Sequence, residues 1–206
     1  MNRVFPLAII ALAILAFATL VLVVAPGLQV TALGPTPGLR PYTAQQLRGR
    51  AQYVGLGCVY CHSQQPRSLA QAPDAARGWG RAAVASDYYY DRPHLLGTMR
   101  SGPDLFNIGV RLPSQGWHLT HLYQPRAIAP WSIMPAYPFL FEHKDKAGAA
   151  DVVVALPPPF APGRGVIVAR PEALDLVAYL QALKHTEPAP AASPRDEGYT
   201  PAGTPP

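Results

Sequence analysis

An apolar segment at the N-terminus constrains this chain more than any other feature of its sequence. Residues 4–39 contain no Asp, Glu, Lys or Arg, and in Val4–Val24 the only polar side chain is that of Thr19. A helix over residues 4–24 is roughly 30 Å long, which is the thickness of the hydrocarbon core of a bilayer. We therefore predict a single transmembrane anchor over residues 1–27, with its helix ending at Pro26-Gly27.

A cleaved signal peptide is the alternative to a retained anchor, with Val30-Thr31-Ala32 as a weak cleavage site. The apolar core of a signal peptide normally has about 7–15 residues, so the length of this segment favours an anchor. Arg3 is the only charge before the span, and the positive-inside rule places it in the cytoplasm. We expect the rest of the chain to lie in the periplasm, outside the inner membrane of a bacterium.

The remainder of the chain predicts one small domain. With 206 residues there is room for about one domain of 100–200 residues beside the anchor. This length excludes a large multidomain enzyme and a multi-span transporter. We predict a linker over residues 28–42, a domain over residues 43–185 and a disordered tail over residues 186–206, which lack apolar periodicity.

The domain is predicted to be mainly α, with helices near both ends. The first follows Thr43 as its N-cap and runs to about Leu56, and its apolar stripe is formed by Leu47, Ala51 and Val54. The last begins at Pro171, and its apolar face consists of Leu176, Val177, Leu180 and Leu183.

The chain between these helices is rich in loops. Within it we predict a short helix over Ser114–Tyr123. We also predict two strands, over residues 152–156 and 165–169, that form a small β-hairpin through a proline-rich connection.

The only two cysteines belong to one motif, Cys58-Val-Tyr-Cys61-His62. Two thiols at this spacing can add to the two vinyl groups of a haem, and the adjacent imidazole is then held beneath the iron. A thioredoxin-like pair would need a βαβ setting, and a zinc site would need a second pair of ligands. The motif predicts one covalently attached haem c, with His62 as an iron ligand.

The second axial ligand of the iron is predicted to be Met134. Pro130 and Pro135 flank it and would hold its loop stiffly over the haem, and a methionine ligand raises the reduction potential. Met99 is better interpreted as a space-filling interior residue. The rival ligands are His94, His118 and His121, of which the last two are expected at the surface.

Two further contacts with the haem site are expected. The other ring nitrogen of a ligating histidine is commonly held by a backbone carbonyl, and Pro103 in the Gly-Pro-Asp-Leu motif can supply it to His62. Residues 40–141 hold ten Arg and four Asp, a net charge of +6. These arginines occur singly, so we expect no nucleic-acid partner. Some of them, Arg126 in particular, could pair with the haem propionates.

Several of these features together resemble a class I cytochrome c domain. They are Gly49 followed by Tyr53, the CVYCH motif, GPDL, the Met-Pro loop and the closing DLVAYLQAL helix. The resemblance implies that the first and last helices cross, with the Gly49/Tyr53 region meeting that of Leu176 and Tyr179.

Longer segments, such as YTAQQLRGRAQYVGLGCVYCHSQQPR and WHLTHLYQPRAIAPWSIMPAYPFL, resemble the FixO-type mono-haem subunit of cbb3-type cytochrome c oxidases. This implies haem attachment by Cys58 and Cys61 and iron ligation by His62 and Met134. It also implies electron transfer to a separate haem–copper subunit that reduces oxygen. Other implied partners are a further cytochrome c subunit, a donor cytochrome or quinol-oxidising complex, and membrane lipid.

The chain departs from this pattern in two places. Met99 stands where a basic residue is expected, and residues 142–170 match no part of the family pattern. The alternatives are a free-standing membrane-anchored cytochrome c shuttle, the cytochrome c subunit of a nitric oxide reductase, and an interaction module without haem.

Overall fold

The computed structural model describes residues 4–185, so the predicted tail over residues 186–206 lies outside the described residues. The structure is mainly helical and contains a two-stranded antiparallel sheet, which confirms the predicted fold class. The chain divides into two compact units. Among the described residues, the N-terminal unit comprises residues 4–39 and 84–91, and the main unit comprises residues 40–83 and 92–185.

One long apolar helix dominates the N-terminal unit. It consists of α1 (Val4–Thr19), a π-helical segment (Leu20–Val24) and α2 (Ala25–Leu33). The most apolar part of Val4–Leu33 has a mean hydropathy of 3.1, and none of that part is buried. The helix is therefore long and apolar enough to cross a membrane, which fits the predicted anchor.

The predicted end of this helix at Pro26-Gly27 is wrong. The helix continues to Leu33 and ends at Gly34, whose φ is +70°. A proline inside an α-helix normally clashes with the carbonyl four residues before it. Here a π-helical turn precedes Pro26, and the N–H of Ala25 donates to the carbonyl of Leu20. This wider turn accommodates the proline ring and lets the helix continue.

The chain that leaves the helix is held by Thr36. This side chain is buried, and its hydroxyl donates to the carboxylate of Asp87 over 2.7 Å. The N–H of Thr36 also donates to the carbonyl of Ser86 over 3.2 Å. Asp87 accepts a second hydrogen bond, of 2.8 Å, from the N–H of Val84. Thr36 and residues 84–87 therefore form an ordered contact within this unit.

Two crossing helices form the centre of the main unit. They are α3 (Ala44–Gly55) and α6 (Pro171–Ala182). The predicted N-cap of α3 is confirmed, since the hydroxyl of Thr43 accepts from the N–H of Gln46 and the Gln46 side chain accepts from the N–H of Thr43. The buried face of the last helix is also confirmed, with Leu176, Val177, Leu180 and Leu183 in the core.

The crossing of α3 and α6 occurs at Gly49, as the resemblance implied. A Cβ atom on Gly49 would lie only 1.9 Å from the carbonyl oxygen of Asp175 and 2.8 Å from the Cβ of Tyr179. Beside it the rings of Tyr53 and Tyr179 pack with 5.5 Å between their centroids. Arg48 pairs with the Asp175 carboxylate at 2.7 and 3.0 Å. Only glycine permits this close approach of the two backbones.

The apolar stripe predicted for α3 does not form its buried face. Leu47, Ala51 and Val54 are all exposed, whereas Gly49 and Tyr53 are the buried residues of this helix. The reason is the crossing itself, because the face that carries the small residue is the one that can approach α6 closely.

Two shorter helices, α4 (Ile108–Arg111) and α5 (Gln115–Tyr123), pack against α6. The predicted helix over Ser114–Tyr123 is confirmed by α5, in which the Ser114 hydroxyl caps the N-terminus by accepting from the N–H of Trp117. These helices and the α3–α6 pair enclose the main hydrophobic core.

The small sheet consists of β1 (Phe141–Lys144) and β2 (Val166–Ala169), which are antiparallel with Phe141 opposite Ala169. The strand predicted over residues 165–169 is thus confirmed. Its predicted partner, residues 152–156, is wrong, because β2 pairs with β1. Val153 forms only an isolated bridge with Val168. The buried side chain of Phe141 places β1 along one side of β2, and the prolines after Leu156 limit pairing on the other side.

Candidate haem-binding site

The cysteine motif lies on a tight turn that directly follows α3. A 3₁₀ turn over Cys58–Tyr60 begins after Gly57, whose φ of +77° favours glycine. The N–H of His62 donates to the carbonyl of Cys58 over 3.0 Å. Cys58 is half-buried and Cys61 is exposed. Burial raises the pKa of Cys58 to about 11. The crossing of α3 with α6 therefore determines where both thiols and the imidazole lie.

The imidazole of His62 is held by the Gly-Pro-Asp-Leu loop. Its Nδ1 lies 2.7 Å from the carbonyl oxygen of Pro103. Burial lowers the pKa of His62, and the hydrogen bond to Pro103 opposes this shift. A neutral imidazole that donates from Nδ1 keeps a lone pair on Nε2. Because a carbonyl oxygen only accepts, Nδ1 is the donor in this contact, and Nε2 is the ring nitrogen left to ligate a metal.

Two backbone hydrogen bonds flank this contact. The N–H of Gly102 donates to the carbonyl of Cys61 over 2.9 Å, and the N–H of Leu105 donates to the carbonyl of Ser63 over 2.8 Å. The segment that carries His62 is thus paired on both sides with the segment that carries Pro103.

Gly102 lies against the face of the His62 ring. A Cβ atom at this position would be 2.3 Å from Cε1 and 2.8 Å from both ring nitrogens. The ring can therefore occupy its present position only because residue 102 has no side chain.

Replacing Gly102 by alanine is expected to displace the His62 ring while leaving both cysteines in place. The visible spectrum of the purified variant should show covalently bound haem with a partial or complete change from low-spin to high-spin iron. Gly116→Ala is the matched control, because a Cβ there would meet nothing closer than 3.8 Å. An unchanged low-spin spectrum in Gly102→Ala would contradict the role assigned to His62.

Met134, the predicted second axial ligand of the iron, lies on an irregular loop of the main unit. Met134 is half-buried and packs against the hydrophobic core, and its N–H donates to the hydroxyl of Ser132 over 3.2 Å. Its neighbours Trp131 and Ile133 are 83% and 76% exposed. Ligation by Met134 stays a prediction. Met99 is 59% exposed, so its interpretation as an interior space-filling residue is wrong.

The surface positions predicted for two histidines are also wrong. His118 is buried and its Nε2 lies 2.8 Å from the carbonyl oxygen of Leu112. His121 is half-buried and stacks on Trp117, with 4.8 Å between the ring centroids. Burial, together with the nearby His118 and His62 side chains, lowers the pKa of His121 to about 4. These rings are enclosed because α5 packs against α6, whereas His94 is exposed.

Whether a haem fits here can be judged from the buried polar atoms that have no partner within the protein. They include Nδ1 of His121 and Nε of Arg111. The Arg111 guanidinium also donates to the carbonyl of Asp104, and burial lowers its pKa. A half-buried cation whose buried Nε–H has no partner suits an acidic group such as a haem propionate. Together with two thiols and an imidazole with a free Nε2, these residues fit a haem.

Two features of the site were missed by the sequence analysis. Arg111 was counted among the scattered arginines but was not proposed as a partner of the haem propionates. Arg126 was proposed for that role, and it is exposed. Asp104 accepts hydrogen bonds from the Ser63 hydroxyl and the Gln65 N–H, at 2.6 and 2.8 Å. Asp104 could have been identified from the sequence, because it follows Pro103 in the Gly-Pro-Asp-Leu motif, which was already assigned to the site.

Comparison with known proteins identifies the family. The sequence profile of the family described as "Cytochrome C oxidase, mono-heme subunit/FixO" matches residues 1–156. The matched residues include the apolar helix, the cysteine motif, the Gly-Pro-Asp-Leu loop and the Met134 loop. The match also includes residues 142–156, so the expectation that none of residues 142–170 fits the family pattern is wrong for this part. A comparison with curated proteins gave no match. Because the profile covers well over half of the sequence, the chain belongs to the FixO family, the mono-haem subunits of cbb3-type cytochrome c oxidase.

Proposed function

We propose that this chain passes electrons to the oxygen-reducing haem–copper subunit of a cbb3-type cytochrome c oxidase. The observation that carries the proposal is the arrangement around His62. Both thiols lie on the same short turn as this imidazole, and the Pro103 carbonyl holds Nδ1 at 2.7 Å. Such an arrangement suits a haem that is attached covalently and ligated by Nε2.

The residues have distinct roles in this proposal. Cys58 and Cys61 attach one haem c, and His62 and Met134 are its axial ligands. When bound, the haem supplies an iron that accepts and releases one electron. The Pro103 carbonyl keeps the His62 ring in one orientation, and the prolines beside Met134 stiffen its loop. Rigid ligands of this kind keep the geometry nearly the same in both oxidation states, which favours rapid electron transfer.

The apolar helix supports a membrane location for this activity. We infer a single-pass anchor in the bacterial inner membrane, with the N-terminus in the cytoplasm and the main unit in the periplasm. An anchor confines the main unit to the plane of the membrane and raises its effective concentration beside a membrane-bound acceptor. Its partners are the haem–copper subunit and, upstream, a further cytochrome c subunit and a donor cytochrome or quinol-oxidising complex.

Spectroscopy of the complex purified through this chain tests the proposal. The oxidised complex should show the charge-transfer band of methionine bound to ferric iron. Met134→Ala should lose that band completely, because it removes the ligating sulfur. Met99→Ala is the matched control and should keep it, since Met99 is 59% exposed.

Each other outcome points to a defined alternative. A b-type haem that co-purifies supports the proposal that this chain is a subunit of an oxidase complex. A c-type haem that purifies alone indicates a free-standing shuttle. If the band survives in Met134→Ala, the ligand assignment is wrong.

A further inference from the structure

A buried charged cluster lies next to His62, on the side of Pro103. Its members are Asp74, Arg100 and Asp104, and both carboxylate side chains are completely buried. Arg100 donates two hydrogen bonds to Asp74, at 2.9 and 2.8 Å, and it lies 3.7 Å from the Asp104 carboxylate. Burying charges costs free energy unless they are paired and hydrogen-bonded. This pairing is therefore required for the cluster to exist.

Arg100 and Asp104 both contact the residue that follows His62. The Nε of Arg100 donates to the hydroxyl of Ser63 over 2.9 Å. The same hydroxyl donates to Asp104 over 2.6 Å. Because Asp104 directly follows Pro103, the cluster joins the two segments whose contact holds the His62 imidazole. It touches neither thiol and contributes no ligand, so any influence on the iron acts through His62 or through its electric field.

Asp74 brings a further loop into this arrangement. Its carboxylate accepts a hydrogen bond of 2.7 Å from the N–H of Arg67. The ring of Trp79 lies under the Arg77 and Arg100 guanidinium groups, at 5.0 and 5.3 Å from its centroid. Burial raises the pKa of Asp74, but the hydrogen bonds from Arg100 and Arg67 outweigh this and hold the pKa below its usual range.

We propose that the ion pair of Arg100 and Asp74, beside the segment that carries His62, sets the reduction potential of the haem through its electric field. The inference rests on the proposed function, since it takes His62 as an iron ligand. Charges in the interior are weakly screened, so a single buried charge acts strongly on a nearby redox centre. The Arg100 cation disfavours the additional positive charge of ferric iron, and the Asp74 anion favours it.

The test is a redox titration of the c-type haem in the complex, purified with the full chain. Arg100→Gln is expected to lower the midpoint potential and Asp74→Asn to raise it. The double variant should lie between the two, close to the parent. Arg48→Gln is the control, because it removes a comparable pair with Asp175 on a side chain that is 61% exposed; it should leave the potential unchanged.

A purely structural role for the pair would give a different pattern. Loosening the His62 segment would shift the potential in the same direction in both single variants, and that result would overturn the proposal. An unchanged potential in both would also overturn it. Arg100→Lys retains the charge with less of the hydrogen bonding, and its potential should lie closer to the parent than that of Arg100→Gln; an equal or larger shift argues against the field of the cation.

Failure of this inference and failure of the proposed function give different results. If the parent complex contains no covalent haem with a histidine ligand, the proposed function itself is wrong. If that haem is present and low-spin, but its midpoint potential shifts as expected in neither Arg100→Gln nor Asp74→Asn, only the inference about the pair is wrong.

Discussion

Replacing Cys58 and Cys61 together by alanine is expected to abolish covalent haem attachment completely. Thioether bonds to these two sulfurs are the only thioether links that the sequence can form with a haem, since the chain has two cysteines. Haem that stays with the polypeptide in denaturing electrophoresis measures these bonds directly. We expect haem-linked peroxidase staining of the parent band and none of the double variant.

Met134→Ala is the matched control for this experiment. It removes an axial ligand without touching either thiol, so its band should still stain. Each single cysteine variant keeps one bond and should stain at reduced intensity. Absence of covalent haem from the parent chain would instead support an interaction module in which the two cysteines have no haem-binding role.

Gly49→Ala is expected to destabilise the main unit by about 3 kcal/mol or more, which is the upper part of the range for overpacking. The added Cβ would lie 1.9 Å from the carbonyl oxygen of Asp175. This neighbour is backbone, so α3 and α6 must move apart to relieve the clash. Separating them disrupts the packing of Tyr53 against Tyr179 and shifts the turn that carries Cys58.

The matched control lies in the same helix. A Cβ on Gly55 would meet nothing within 4 Å, and alanine is favoured over glycine in helices by about 0.5–1 kcal/mol. Gly55→Ala should therefore be neutral or slightly stabilising in denaturant unfolding of the haem-loaded protein. Equal midpoints for Gly49→Ala and the parent would show that the two helices can separate without cost.

The parts of this protein that could be predicted from the sequence are those decided by near neighbours in the chain. The apolar helix follows from the hydropathy of Val4–Val24, and the start of α3 from the Thr43 cap. The turn at Cys58–His62 is a contiguous motif. In each case the decisive contacts are made within a few residues, so the sequence contains them directly.

The buried face of α3 was not predictable in the same way. Leu47 and Val54 have the more apolar side chains, yet the helix turns Gly49 and Tyr53 toward α6. A close crossing requires a small residue, and periodicity alone does not indicate which face another helix will approach. The burial of His118 and His121 has the same origin, since it depends on what packs around α5.

The same distinction applies to the residues of the candidate haem-binding site. The sequence by itself determined the two thiols, the imidazole and the candidate thioether of Met134, because these groups are recognisable by residue type and spacing. The tertiary structure alone decided that Asp74 and Asp104 would share Arg100 beside Ser63. Those carboxylates are 30 residues apart in the chain, and only folding excludes water from both, so that both pair with the same guanidinium.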